Sequence, residues 1–147
     1  MTSGRSMMVG SIKIEFSTME NAAVAILKRH LAPRTIGLIE RTLFRGSLRL
    51  RAVVRPPNRE EASFPIRIGR VGLEKPITEL LPSMVTYWPQ GSSLAVQMVP
   101  RTTKFPVNHL GAISDDQLDF FRHLRVGTAV TLSLMISDKL DEIGDQE

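Results

Sequence analysis

With 147 residues, 42% of them hydrophobic, 23% charged and none of them cysteine, the chain has the make-up of one globular domain. The lack of cysteine excludes disulfides, thiol catalysis, iron–sulfur clusters and Cys-ligated zinc together. The net charge of +4 is uneven: Arg34, Arg41, Arg45, Arg49, Arg51 and Arg55 crowd a middle that holds few acids, whereas Asp138, Asp141, Glu142, Asp145 and Glu147 make the end acidic.

A chain of this size buries about two-thirds of its unfolded surface, enough for a core without staples. The basic middle could attract phosphates or nucleic acid. No nucleic-acid-binding motif accompanies it, so a solvated arginine surface is preferred and nucleic acid is kept only as an alternative partner. No stretch is long and apolar enough for a membrane span, and no signal-peptide pattern is present, so a soluble, cytoplasmic protein without a membrane partner is expected.

In chain order, residues 1–10 show no periodicity and read, like 137–147, as a flexible tail around a domain at 11–136. Residues 11–16 alternate Ile12, Ile14 and Phe16 against Lys13 and Glu15, a half-buried strand. Residues 22–30 fit either a helix, by their Ala, Leu and Lys, or a strand with Ala23, Ala25 and Leu27 on one side. Residues 33–45 read as a helix: Pro33 suits the first position, Ile36, Ile39 and Leu43 make a stripe, and Gly46 can end it. Residues 48–55 alternate Leu48, Leu50, Ala52 and Val54 against Arg49, Arg51 and Arg55, a strand with a basic face. Residues 56–63 read as a proline-led loop, 64–70 as a strand burying Phe64, Ile66 and Ile68, and 72–83 as mostly loop.

The most distinctive stretch is MVTYWPQGSSLAVQMV at 84–99, two alternating strands joined by a short turn in which Gly91 can supply φ > 0. A loop at 100–106 and a strand at 107–113 follow, with Gly111 marking a bulge or a close backbone approach. Residues 114–125 form a second helix, opened by a Ser114–Gln117 capping box and burying Leu118, Phe121 and Leu124. Residues 128–136 close the domain as a strand. Many short strands and two helices suggest a mainly β architecture, an antiparallel barrel with its ends covered by the helices.

Two further patterns carry a resemblance. AILKRHLAPRTIGLIERTL at 25–43 is similar to the cyclophilin run in which a strand leads into an A-P-K-T helix. YWPQG at 87–91, followed by VNHLG at 107–111, resembles the Y-W-P-x-G and V-N-x-x-G segments of the prokaryotic cyclophilin-like family. Over 11–136 this resemblance implies a closed antiparallel cyclophilin-like β-barrel of roughly eight strands with two capping helices. It makes 22–30 a strand, and it implies a family without an established biochemical activity. The F-x-M-x-Q-G-G-D-type run of catalytic cyclophilins is missing, LRAVVRPPN at 50–58 standing in its place. The cyclophilin pocket histidine would fall on Val107, and His109 is displaced from it by two.

No metal spacing links His30, His109 and His123, no nucleotide-binding motif is present, and neither a metal nor a cofactor is expected. The expected function is therefore the binding of a small molecule or proline-containing peptide in a groove on the barrel face. The groove would be lined by Tyr87, Trp88, Gln97, Met98, Asn108 and His109, with Arg49 or Arg51 meeting an anionic or carbonyl group. Tyr87 and Trp88 each pair an apolar body with a polar tip, which suits a wet rim. A divergent prolyl isomerase on the same face, and a basic nucleic-acid binder, are the alternatives; catalytic residues for the former are not matched.

Overall fold

The structure is a computed structural model that describes residues 10–54 and 60–135. Both expected tails, Gly10 apart, therefore lie outside the described residues, as do residues 56–59 of the expected 56–63 loop and Ile136. No helix among the described residues is long and apolar enough to cross a membrane.

The chain is mainly β and antiparallel. In order, its elements are β1 (Ser11–Ser17), β2 (Ala22–Lys28), α1 (Pro33–Phe44), β3 (Leu48–Arg51), β4 (Val53–Val54), β5 (Glu61–Pro65) and β6 (Ile77–Leu80). Then come β7 (Met84–Trp88), β8 (Ser93–Gln97), β9 (Arg101–Ile113), a 3-10 turn (Asp115–Gln117), α2 (Leu118–Arg122) and β10 (Ala129–Met135). The hydrogen-bonded path runs β3-β10-β1-β2-β9-β7-β8-β5-β4, with β6 attached to β9. Residues 22–28 are a strand, paired with β1 from Ser11–Lys28 to Ser17–Ala22. Local propensity for a helix yields here to the period-two burial of Ala23, Ala25 and Leu27.

The ladder does not close into the expected barrel: it is open, and its two ends, β3 and β4, are separated only by Ala52. At Ala52 the backbone turns both its polar groups to the 127–128 turn, donating to the Thr128 carbonyl (2.9 Å) and accepting from the Gly127 N–H (2.8 Å). Before it, the strand pairs β10; after it, β5. The strand thus exchanges partners at one residue, and no ladder joins the two ends.

The sheet nevertheless curls far enough for its inner face to make one core. Phe16 of β1 and Phe64 of β5 lie 5.3 Å apart between ring centroids, and Phe121 of α2 meets Phe16 edge-on at 5.1 Å. Helix α1 buries Thr35, Ile36, Ile39 and Leu43. Pro33 opens it as expected. The residue before it, Ala32, has no side-chain oxygen to cap the helix, and Glu74 does so from forty residues away. Its carboxylate accepts from the backbone N–H groups of Arg34 (3.0 Å) and Thr35 (2.9 Å) and from the Thr35 hydroxyl (2.9 Å). The capping box expected at Ser114 does not form. Gln117 spends its Oε1 on the Val24 N–H (2.7 Å), tying the second helical segment to β2 instead.

Gly111 occupies a close approach: a Cβ there would stand 1.9 Å from the Ile26 carbonyl oxygen. Beside it the β7–β9 register slips, Val85 facing Gly111 and Thr86 facing His109, so that Leu110 is the extra residue of a bulge.

Candidate functional site

The antiparallel register of β4, β5, β8 and β7 stacks outward-facing residues in rows. Val53 lies beside Ser63, Ser63 beside Ala95 and Ala95 beside Thr86. Pro65, Ser93 and Trp88 form a second row, and Glu61 pairs with Gln97. The alternate residues, Ala62, Phe64, Val85, Tyr87, Leu94 and Val96, enter the core. This is the period-two rule of a strand applied across four neighbours.

A roof covers part of this outer surface. The second half of β9 belongs to the main sheet, paired with β7 and β2, whereas its first half pairs only β6. Between Thr102 and Val107 the β6–β9 register shifts, and Pro106, which has no N–H to offer a ladder, sits in that irregular stretch. Arg101, Thr103, Phe105 and Val107 recur every second residue and all face the space below, closing a groove of about 560 Å³ with Leu80 of β6. That volume falls within the range of small-molecule sites.

The groove has a polar end and an aromatic end. At the polar end Gln97, 1% exposed, gives both amide hydrogens, to Glu61 Oε1 (2.8 Å) and Thr86 Oγ1 (3.1 Å), and its Oε1 accepts from Arg101 Nε (3.3 Å). Arg101 Nη2 donates to the same Glu61 Oε1 at 2.8 Å, and its Nη1 lies 3.9 Å from Glu60 Oε1. A buried amide satisfied on every side in this way is held in one rotamer. At the aromatic end Trp88 and Phe105 stack with centroids 5.7 Å apart and an interplanar angle of 27°. Gly91 presses on the indole as well, since a Cβ there would come within 2.1 Å of Cε3. Glycine is needed at 91 for this approach; the positive φ of the turn belongs to Ser92 (+48°).

Trp88 and Gln97, expected in the site, line this groove. Tyr87 does not stand at a wet rim: it is 1% exposed and points into the core. Burial pushes its phenol above the ordinary value of 10.0, partly offset by the Ser92 hydroxyl bonded to it. Met98 is also core. Asn108 is fully buried and structural: its Oδ1 accepts the Glu74 N–H (2.7 Å), and its Nδ2 donates to Thr35 Oγ1 (3.1 Å) and the Gly72 carbonyl (2.9 Å). His109 lies outside the groove lining, where its Nε2–H donates to the Gly111 carbonyl at 3.2 Å. Desolvation holds its pKa below the ordinary imidazole value, with the Gly111 bond opposing and the nearby Lys28 charge adding to the shift. Arg49 and Arg51 are exposed on the far edge strand, Arg51 donating to the Gly127 carbonyl (3.0 Å), and neither reaches the groove.

Glu61, Arg101 and Phe105 are not legible as site residues because their segments read as loops, and Thr86 belongs to the site hairpin without any feature that singles it out. Only the Glu60–Glu61 pair next to an arginine-rich run, and an arginine between two prolines at 100–106, stood out from their surroundings. No group of three or more His, Asp or Glu that could hold a metal ion occurs among the described residues.

No protein-family model matches the chain, and no curated protein matches it. Among solved structures it is similar to the hypothetical protein AF2241 from Archaeoglobus fulgidus, with a TM-score of 0.65 and 15% identity over 86% of this chain and 96% of that one. It is likewise similar to McbB, solved in complex with tryptophan, with a TM-score of 0.66 and 15% identity over 82% of this chain. The chain spans only 44% of McbB. At this identity the likeness is one of fold.

Proposed function

We propose that the chain is a cyclophilin-like binding protein that takes a small planar molecule, or a peptide presenting a proline ring, in the outer groove under β6 and β9. One observation carries this reading: a stacked Trp88–Phe105 wall shares a roofed cavity with the hydrogen-bonded Gln97–Glu61–Arg101 cluster. Apolar lining with a few fixed polar groups is the usual make-up of a small-molecule site. The fold shared with a protein solved with an aromatic amino acid bound is consistent with a planar ligand.

Trp88 is the only tryptophan, so its indole N–H gives a single resonance in a ¹⁵N-labelled sample. Titration with neutral planar compounds and with a capped Ala-Pro peptide should move that resonance together with the Gln97 side-chain amide. Phe105→Ala should weaken the response by about tenfold, the loss expected when an aromatic contact is removed from a binding wall. If no compound moves either signal, or if shifts cluster on another face, the groove is not the site.

Prolyl isomerisation is the second reading, favoured by a guanidinium lining the same groove as Trp88, Phe105 and Val107. Such chemistry needs a donor that weakens amide resonance in the twisted state. Arg101 already donates to Glu61 and Gln97, so a binding role is preferred. A proline-isomerisation assay with Arg101→Ala as control separates the two.

A further inference from the structure

Resting on the groove as the binding site, the balance of charge along its wall goes further and selects the ligand. Among the described residues the lining carries two carboxylates, Glu60 and Glu61, and one guanidinium, Arg101. The guanidinium is committed to Glu61 by a 2.8 Å charge-assisted bond, which leaves Glu60, among the described residues, with a cation no nearer than 3.9 Å and a side chain 45% exposed. Both hydrogens of the Gln97 amide are spent inside the cluster. Among the described residues the polar end therefore has acceptor capacity and negative charge in excess. At the other end, aromatic faces attract cations through their π-electrons.

We propose that the groove selects an aromatic amine: a flat ring against Phe105 and Trp88, and an alkylammonium carried on it that pairs with Glu60. An arylalkyl carboxylate of the same size would bring its charge towards two carboxylates whose only cationic neighbour among the described residues is already engaged. The discrimination is electrostatic and partly solvent-exposed, which keeps it modest.

Three ligands that share one ring test this on the full chain at neutral pH, followed through the Trp88 indole resonance: tryptamine, neutral 3-ethylindole and indole-3-propionate. Tryptamine should bind about tenfold more tightly than indole-3-propionate, with 3-ethylindole between them, and added salt should narrow the spread. Glu60→Gln should collapse the preference to within about threefold and leave 3-ethylindole unchanged, the result expected when a single screened charge is neutralised. Binding of indole-3-propionate as tightly as tryptamine overturns the amine assignment while leaving the groove as a site, as does an unchanged ranking in Glu60→Gln. If none of the three binds, the groove itself is refuted, and the assignment with it.

Discussion

Replacing Glu74 by alanine tests whether a helix can depend on a cap supplied from a distant loop. The substitution removes the acceptor of three hydrogen bonds, from the Arg34 N–H, the Thr35 N–H and the Thr35 hydroxyl. Arg34 is exposed, so its N–H can turn to water at little cost. Thr35 is 0% exposed, and its two donors lose their shared partner inside the protein. Each buried donor left unsatisfied costs about 1–3 kcal/mol, and a lost N-cap typically about 1 kcal/mol. These overlap, because one oxygen serves both Thr35 donors and water can enter the vacated space. A loss of roughly 3 kcal/mol is the working figure. In urea unfolding, with a slope of about 1–3 kcal/mol per molar, the midpoint should fall by roughly 1–3 M and the slope should not change. Glu74→Gln keeps one acceptor and should lose about half as much. Asn108→Ala should be non-additive with Glu74→Ala, because Asn108 holds the Glu74 N–H and the Thr35 hydroxyl in the same network, and coupling of about 0.5–3 kcal/mol is typical of such neighbours. A Glu74→Ala protein within about 0.5 kcal/mol of the parent would show that water caps α1 equally well and that the loop contact is incidental.

Two other outcomes follow from the same geometry. Gly91→Ala should force the indole from its stack on Phe105, changing Trp88 fluorescence and ligand affinity and costing about 1–3 kcal/mol for overpacking, whereas an unchanged emission spectrum would mean that the turn yields instead. Tyr87 is the only tyrosine, so absorbance at 295 nm reports on it alone; its raised pKa means that the folded state keeps the proton while the unfolded state loses it, so stability is intact below about pH 10 and declines above it. Tyrosinate should therefore appear together with unfolding, and a reversible titration near 10 in the folded protein would contradict the buried position.

How much was legible in the sequence depended on whether a segment buried one face and also paired its backbone. Where both held, as in β1, β7, β8 and β10, alternation located the strand to within a residue or two. Residues 66–70 alternate Ile66 and Ile68 inward without any ladder, while the paired strand lies earlier, at Glu61–Pro65. Periodicity reports which side chains are covered; it does not report which N–H groups are bonded. The roof of the groove was hidden for a different reason. Pro76, Pro82, Pro100 and Pro106 all argue for loops, yet β6 fits between the first two and β9 absorbs Pro106 in an irregular register. With the roof unseen, Arg101 and Phe105 could not be placed over Gln97 and Trp88. The candidate site also took residues in consecutive pairs, Tyr87 with Trp88 and Gln97 with Met98. Neighbours in a strand point to opposite faces, so each pair was bound to place one member in the core.

That same alternation explains how a core and a groove wall share four strands without competing. Tyr87 and Leu94 face each other across β7 and β8 on the inside, and the next pair, Trp88 and Ser93, faces the groove. A change at Leu94 removes packing around Phe64 and Tyr87, whereas a change at Ser93 or Ala95 alters only what lies above the sheet. The β7–β8 turn is where the two faces meet: Ser92 reaches inward to the Tyr87 phenol while Gly91 supports the Trp88 indole outside. The turn therefore couples the groove's aromatic wall to the core. A different lining at 63 and 95 would reshape the groove and leave stability intact, whereas a change at 61, 97 or 101 breaks the hydrogen bonds that satisfy the buried Gln97 amide.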